Sequence, residues 1–191
     1  MPDAMMPKCL VRTYSGQLLD LLDPSSITFD LEDIVTPLSR ICRFAGQTQE
    51  FYSVAEHSVM VSYLAEEMGG DAWQALWHDA AEALVGDVTS PLKVQLPKFK
   101  RIEDGLLAQM GRQFGFDFPF SYITHRADKV MVQLEGEQLM RGWVSDLTPS
   151  FREQVKSVQV LGCLSPAMAA KLFLNRADSL RNARSLQQKG R

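Results

Sequence analysis

From about residue 30 onward the apolar positions recur at helical spacing, and strand-like alternation is almost absent. Asp30 can cap a helix that carries Leu31, Ile34, Leu38 and Ile41 on one face. Pro37 sits inside that pattern and predicts a kink or a break. The stretch FAGQTQEFY reads as a loop, and Ser53-Val54-Ala55-Glu56 then reads as a capping box. The helix it opens carries Val54, Val61, Leu64 and Met68, and Gly69-Gly70 stops it. Asp71 caps a further helix over roughly 72–85, with GDVTSPLK as the turn after it. Helices are expected over roughly 98–113, 122–142 and 166–186, with an aromatic-rich link from Phe114 to Phe120. Only the start departs from this period. CLVRTYSGQLLDLLDP reads as a short extended pair around Ser15-Gly16, closed at Asp23-Pro24. The expected fold class is all-α: one helical domain over 31–191, with residues 1–30 as an N-terminal extension packed on it.

Composition narrows the function classes. The chain has 191 residues, 46% hydrophobic and 23% charged, which excludes wholesale disorder. A core of that size folds without disulfides or a structural metal, so a metal here would serve chemistry. The net charge of −3 argues against a stable nucleic-acid partner. The charge is uneven, because Arg176, Arg181, Arg184, Lys189 and Arg191 outweigh Asp178 near the C-terminus. That run is short and interrupted, and it reads as a solvated helix end with a frayed tail. Cys9, Cys42 and Cys163 are odd in number and far apart, which fits a reducing compartment rather than a disulfide framework. No segment approaches the roughly 20 apolar residues of a membrane span, and the N-terminus does not read as a signal peptide. A cytoplasmic protein without a membrane partner is expected.

The candidate chemistry is carried by few residues. His57 falls on the inward stripe of its helix, and alone it reads as a core histidine. His78-Asp79-Ala80-Ala81-Glu82 changes that reading. On a helix His78 and Glu82 share a face, and Asp79 lies about 100° further round, so one metal can take both His78 and Asp79. With Asp87, this puts four ionisable groups in ten residues flanked by Leu76, Trp77, Ala80, Ala83 and Leu84. Burying them unpaired is expensive, and a divalent cation removes that cost. Asp128 sits early on a long helix with Val132 and Leu139 on its apolar side, and Glu135 follows two turns along the same face. Asp128 is a possible fourth ligand.

The order His57, His78-Asp79, Asp128 resembles the metal-binding pattern of the HD-domain phosphohydrolases. LSRICRF, YSVAEHSV, WHDAAEALVGDVTSPLK and RADKVMVQLE resemble its small nucleotidase branch, which includes YfbR-like 5′-deoxynucleotidases and phage deoxyadenosine triphosphate hydrolases. The similarity covers about residues 36–140. It implies that His57, His78, Asp79 and Asp128 are metal ligands, that Glu82 is the acid beside the activated water, and that Asp87 lies near the substrate. It also implies that Arg43 and Lys93 contact phosphate and that the protein is a homo-oligomer. Thr89 stands where relatives often have proline, and His125-Arg126 where they often carry a lysine.

A mixed histidine and carboxylate site suits Mn, Co, Fe or Zn and, less well, Mg. The resemblance implies a site that cleaves the 5′-phosphoester of a small-molecule nucleotide, with deoxynucleoside monophosphates as the leading expectation. A triphosphohydrolase that releases nucleoside and triphosphate is the nearest alternative. A catalytically silent nucleotide-binding protein on the same fold is the alternative of another class. Phe44, Phe51, Tyr52 and Trp77 are available to stack on a base, though each reads first as core packing.

Overall fold

The computed structural model describes residues 8–155, 158, 160 and 162–189, with the side chains of 187–189 excepted. It is all-α apart from an N-terminal hairpin. Strand β1 (Leu10–Arg12) pairs antiparallel with β2 (Leu18–Asp20), in the register Leu10↔Asp20, Val11↔Leu19 and Arg12↔Leu18. A one-turn 3-10 helix follows at Pro24–Ser26. The helices are α1 (Leu31–Arg40), α2 (Val54–Glu67), α3 (Ala72–Leu76), α4 (Glu82–Val85), α5 (Ser90–Lys93), α6 (Pro97–Phe114), α7 (Tyr122–Leu139), α8 (Pro149–Gln154) and α9 (Pro166–Lys189).

The caps explain several of these boundaries. Asp30 accepts from the Glu32 amide at the start of α1. Helix α1 runs through Pro37 without a break, because burial of Ile34, Val35 and Leu38 holds both sides of it against the core. At α2 the Ser53 hydroxyl accepts from the Glu56 amide, and the Glu56 carboxylate accepts from the Ser53 amide at 3.1 Å. The other Glu56 oxygen accepts from the Leu164 amide at 2.8 Å, so the same cap pins the chain leading into α9.

Helix α2 is buried nearly all round, from Val54 to Ser62. One side meets α1, α3, α6, α9 and the hairpin in a core centred on Trp77. The Trp77 ring stacks on Phe114 at 4.5 Å between centroids and meets Phe173 edge-on at 5.6 Å. The other side packs Met60, Val61, Leu64 and Ala65 against Ala127, Val130, Met131 and Leu134 of α7. The apolar side of α7 is thus formed by those residues, whereas Val132 is only half-buried. The hairpin buries Leu19 and Leu21 in the larger core, and Asp33 of α1 accepts from both the amide and the hydroxyl of Ser15.

Several local expectations are corrected. The helix expected over 72–85 is interrupted: from Trp77 to Glu82 the backbone bonds run mainly from residue i+3 back to i, as in Ala80 to Trp77 (3.0 Å) and Glu82 to Asp79 (3.0 Å). Packing of Trp77 among four aromatic rings outweighs the local preference for a continuous α-helix. The turn GDVTSPLK contains α5, whose first residues are Ser90 and Pro91. The stretch after Arg40 is also ordered by its neighbours. Arg43 donates its amide to Tyr52 and Val54 donates to Ile41, so the end of α1 is tied to the start of α2. The basic C-terminal run is only partly solvated. Arg176 is buried against Ser62, Glu66 and Tyr63, while Arg181 and Arg184 lie over Trp73. Arg191 and the Lys189 side chain lie outside the described residues.

Candidate metal centre

Three elements that pack on one another supply the cluster: α2 carries His57, the tight turns after α3 carry His78 and Asp79, and α7 carries Asp128. His57 Nε2 and His78 Nε2 are 3.3 Å apart. Asp79 Oδ2 lies 3.5 Å from the first and 3.2 Å from the second. Asp128 Oδ1 lies 3.2 and 3.7 Å from the same two nitrogens. His57, His78 and Asp79 could hold a metal ion. A point about 2.1 Å from all three donor atoms exists just off the plane of their triangle, the distance such donors take to a first-row divalent cation.

The opposite edges of the two imidazoles support that fit. His57 Nδ1 lies 2.7 Å from Glu135 Oε1, and His78 Nδ1 lies 2.8 Å from the Ala75 carbonyl oxygen. Each acceptor calls for a proton on Nδ1, which leaves a lone pair on Nε2. Two lone pairs facing one another at 3.3 Å, with carboxylates beside them, repel unless something electropositive lies between. In the protein alone, burial opposes charge on both imidazoles. Carboxylates more than reverse this, chiefly Glu135 at His57 and Asp79 at His78, so both titrate above the usual histidine range. Burial would likewise raise Asp79 and Asp128, yet the facing imidazoles hold both below the ordinary carboxylate range. The Asp79 and Asp128 side chains retain 18% and 32% of their exposure, so the cluster opens to solvent on their side.

The opening is a cleft of about 520 Å³, bordered by His78, Asp79, Asp128, Lys93, Phe120 and His125 among others. That volume lies in the range that takes a small organic ligand. Lys93 projects from α5 and donates to Glu82 Oε1 at 3.2 Å and to Glu103 Oε1 of α6 at 2.8 Å. Burial would favour neutral Lys93, but these two acids raise its pKa and keep it cationic. Glu82 is 2% exposed, and its Oε2 has no hydrogen-bond partner among the described residues. Burial first, then Asp79 and Asp87, push its pKa well above the ordinary range against the pull of Lys93 and Arg43. Glu82 and Asp79 stand three residues apart in these tight turns and interact electrostatically.

Arg43 is buried at the edge of the cluster. It is 9% exposed and set among carboxylates, 3.2 Å from Asp87 Oδ2, 3.9 Å from Asp79 Oδ2 and 4.0 Å from Glu135 Oε2. The next two residues, Phe44 (φ 53°) and Ala45 (φ 52°), take left-handed conformations that side chains disfavour, and Gly46 (φ 75°) completes the turn. Phe44 is held there edge-on to Trp143 at 5.8 Å. Of the aromatics available for stacking, Tyr52 and Trp77 are buried, and the rings that line the cleft are Phe118 and Phe120 instead. Sequence reasoning missed the parts played by Glu135, Glu103 and Tyr52. The place of Glu135 on the Asp128 face was legible, but its partner 78 positions away was not.

No family model matches the chain. It is 37% identical over 131 residues to the uncharacterised protein YfdR of Escherichia coli, covering 68% of this chain and 71% of that one. It is 36% identical over 146 residues to an uncharacterised protein of Rhodobacter capsulatus, covering 70% and 74%. A 5′-deoxynucleotidase of Vibrio parahaemolyticus is 31% identical over 106 residues, covering 42% of this chain and 55% of that enzyme. At that identity and coverage, the all-α chain described here belongs to the family of the E. coli YfdR protein.

Proposed function

We propose that the protein is an HD-type, metal-dependent phosphohydrolase that cleaves the 5′-phosphoester of nucleotides, deoxynucleoside monophosphates in preference. One observation carries the reading: two buried imidazole lone pairs and two carboxylate oxygens meet at the edge of a cleft large enough for a nucleotide. The partial similarity to a 5′-deoxynucleotidase supports the substrate class.

His57, His78, Asp79 and Asp128 would hold the cation. When bound, a divalent ion lowers the pKa of water and polarises a phosphate oxygen. The surrounding residues do the rest. Glu82 accepts the proton of the attacking water, because its raised pKa in a dry pocket makes it a stronger base than an exposed carboxylate. Lys93 sits between Glu82 and the open cleft, where its ammonium can neutralise a non-bridging phosphate oxygen. Asp87 holds the Arg43 guanidinium, whose fork of donors serves phosphate once the anion enters. The 5′-oxygen of the nucleoside leaves.

Lys100 and His125 also border the cleft, and they favour a second reading in which a longer phosphate chain is accommodated and triphosphate is released. The deciding experiment incubates the protein with Mn or Co and a panel of deoxy- and ribonucleoside mono- and triphosphates. Inorganic phosphate and nucleoside from the monophosphates support the lead reading, and tripolyphosphate supports the second. Metal binding without turnover on any member would leave a silent nucleotide-binding protein in their place.

A further inference from the structure

The carboxylate of Glu135 touches neither the open cleft nor the candidate cation position. It is fully buried on α7, two turns after Asp128, in a layer behind the cluster. A carboxylate there is costly unless it is answered by donors, and the structure shows what answers it. Oε1 accepts from the Tyr52 hydroxyl at 2.9 Å and lies 2.7 Å from His57 Nδ1. Oε2 has no hydrogen-bond partner among the described residues and faces Arg43 Nη2 at 4.0 Å. Tyr52 keeps its proton, because burial and the neighbouring Glu135 both raise its pKa. Its hydroxyl therefore donates, as does His57 Nδ1–H, so two donors fix one oxygen in place.

We propose that Glu135 is the positioning residue of the metal centre. One of its oxygens holds His57 with the proton on Nδ1 and the lone pair of Nε2 aimed at the cation position, while the other faces and steadies the Arg43 guanidinium. The inference rests on the metal-centre reading above, and it adds a link that reading lacks. A single buried acid ties the orientation of a metal ligand to the placement of the arginine assigned to phosphate. His78 takes its tautomer from a backbone carbonyl, which substitution cannot remove, whereas the tautomer of His57 depends on this one side chain.

The test uses the full chain freed of metal, in the wild-type form and as Glu135→Gln. Gln keeps the volume but replaces one acceptor with an NH2 group. Its amide must turn donors either toward Arg43 or toward His57 Nδ1, and both positions already present donors. Two readouts are needed. The 15N spectrum of the His57 ring in the metal-free protein, recorded at a pH above its raised pKa so that the ring is neutral, should show the Nδ1–H form in wild type and a shift toward the Nε2–H form in the variant. A cobalt titration followed by visible absorption should show affinity about 10- to 100-fold weaker in the variant, the usual effect of removing such a support. Thermal unfolding confirms that both proteins are folded. Equal cobalt affinity in the two forms would overturn this inference and leave the metal centre standing. Wild-type protein that takes up no cobalt would sink the centre and this inference together. If Glu135→Gln does not fold, the wild-type spectrum still decides, because a His57 ring in the Nε2–H form would overturn the proposed role.

Discussion

Arg43 offers the sharpest test of how the carboxylate-rich centre tolerates its own charge. Its guanidinium is the buried positive group that faces Asp87, Asp79 and Glu135 together. Burial disfavours its charge, but Glu135, Asp79, Asp87 and Glu82 raise its pKa still further and keep it cationic. Arg43→Met keeps most of the side-chain length and removes the charge. Removing one partner of a buried pair costs about 3–5 kcal/mol, because the other charge is left buried and unanswered. Only the Asp87 contact at 3.2 Å is within hydrogen-bond distance, so the low end, about 3 kcal/mol, applies. For a chain of this size each kcal/mol moves the melting temperature by about 2–4 °C. The metal-free variant should therefore melt about 6–12 °C below wild type. A cation placed beside Asp79 takes over part of the neutralisation, so manganese should raise the melting temperature of the variant more than that of wild type. Arg43→Lys retains the charge and should lose less than half as much. Calorimetry in chelator and then in manganese checks each value. A metal-free Arg43→Met protein that melts within about 2 °C of wild type would refute the assignment of Arg43 as counter-charge.

Glu82→Gln keeps the size of the side chain and removes its basicity, so turnover should fall about 100- to 10,000-fold while cobalt affinity changes little; unchanged turnover would remove Glu82 from the chemistry. Asp33 latches the hairpin through its two bonds from Ser15, and although burial pushes its pKa up, those bonds lower it overall. A depressed folded-state pKa means that the latch is fully present above about pH 4 and is lost as the pH falls through the folded value. Asp33→Asn should loosen the hairpin by about 1.5 kcal/mol at neutral pH, seen as faster hydrogen exchange at Val11 and Leu19, and should flatten that acid dependence.

Local chemistry was enough to read much of this protein. The Ser53/Glu56 capping box, the Asp30 and Asp71 caps and the 3.6-residue period place most helices, because each depends on residues within one or two turns of one another. The candidate donors His57, His78, Asp79 and Asp128 were legible for a related reason: few residue types hold a cation, and they stand beside apolar flanks that make a solvated face improbable. What crosses long stretches of chain was decided by tertiary packing. Trp77, wedged among Phe114, Phe116, Phe173 and Trp73, interrupts the expected helix with the tight turns that carry His78 and Asp79. Arg43, expected to contact phosphate, is set among Asp87, Asp79 and Glu135 by a left-handed turn packed on Trp143. Glu135 meets His57 across 78 residues, and Lys93 meets Glu82 and Glu103 across two helix starts. Such pairings join charges whose burial is favourable only once the surrounding core has excluded water, and no local pattern in the chain encodes that exclusion.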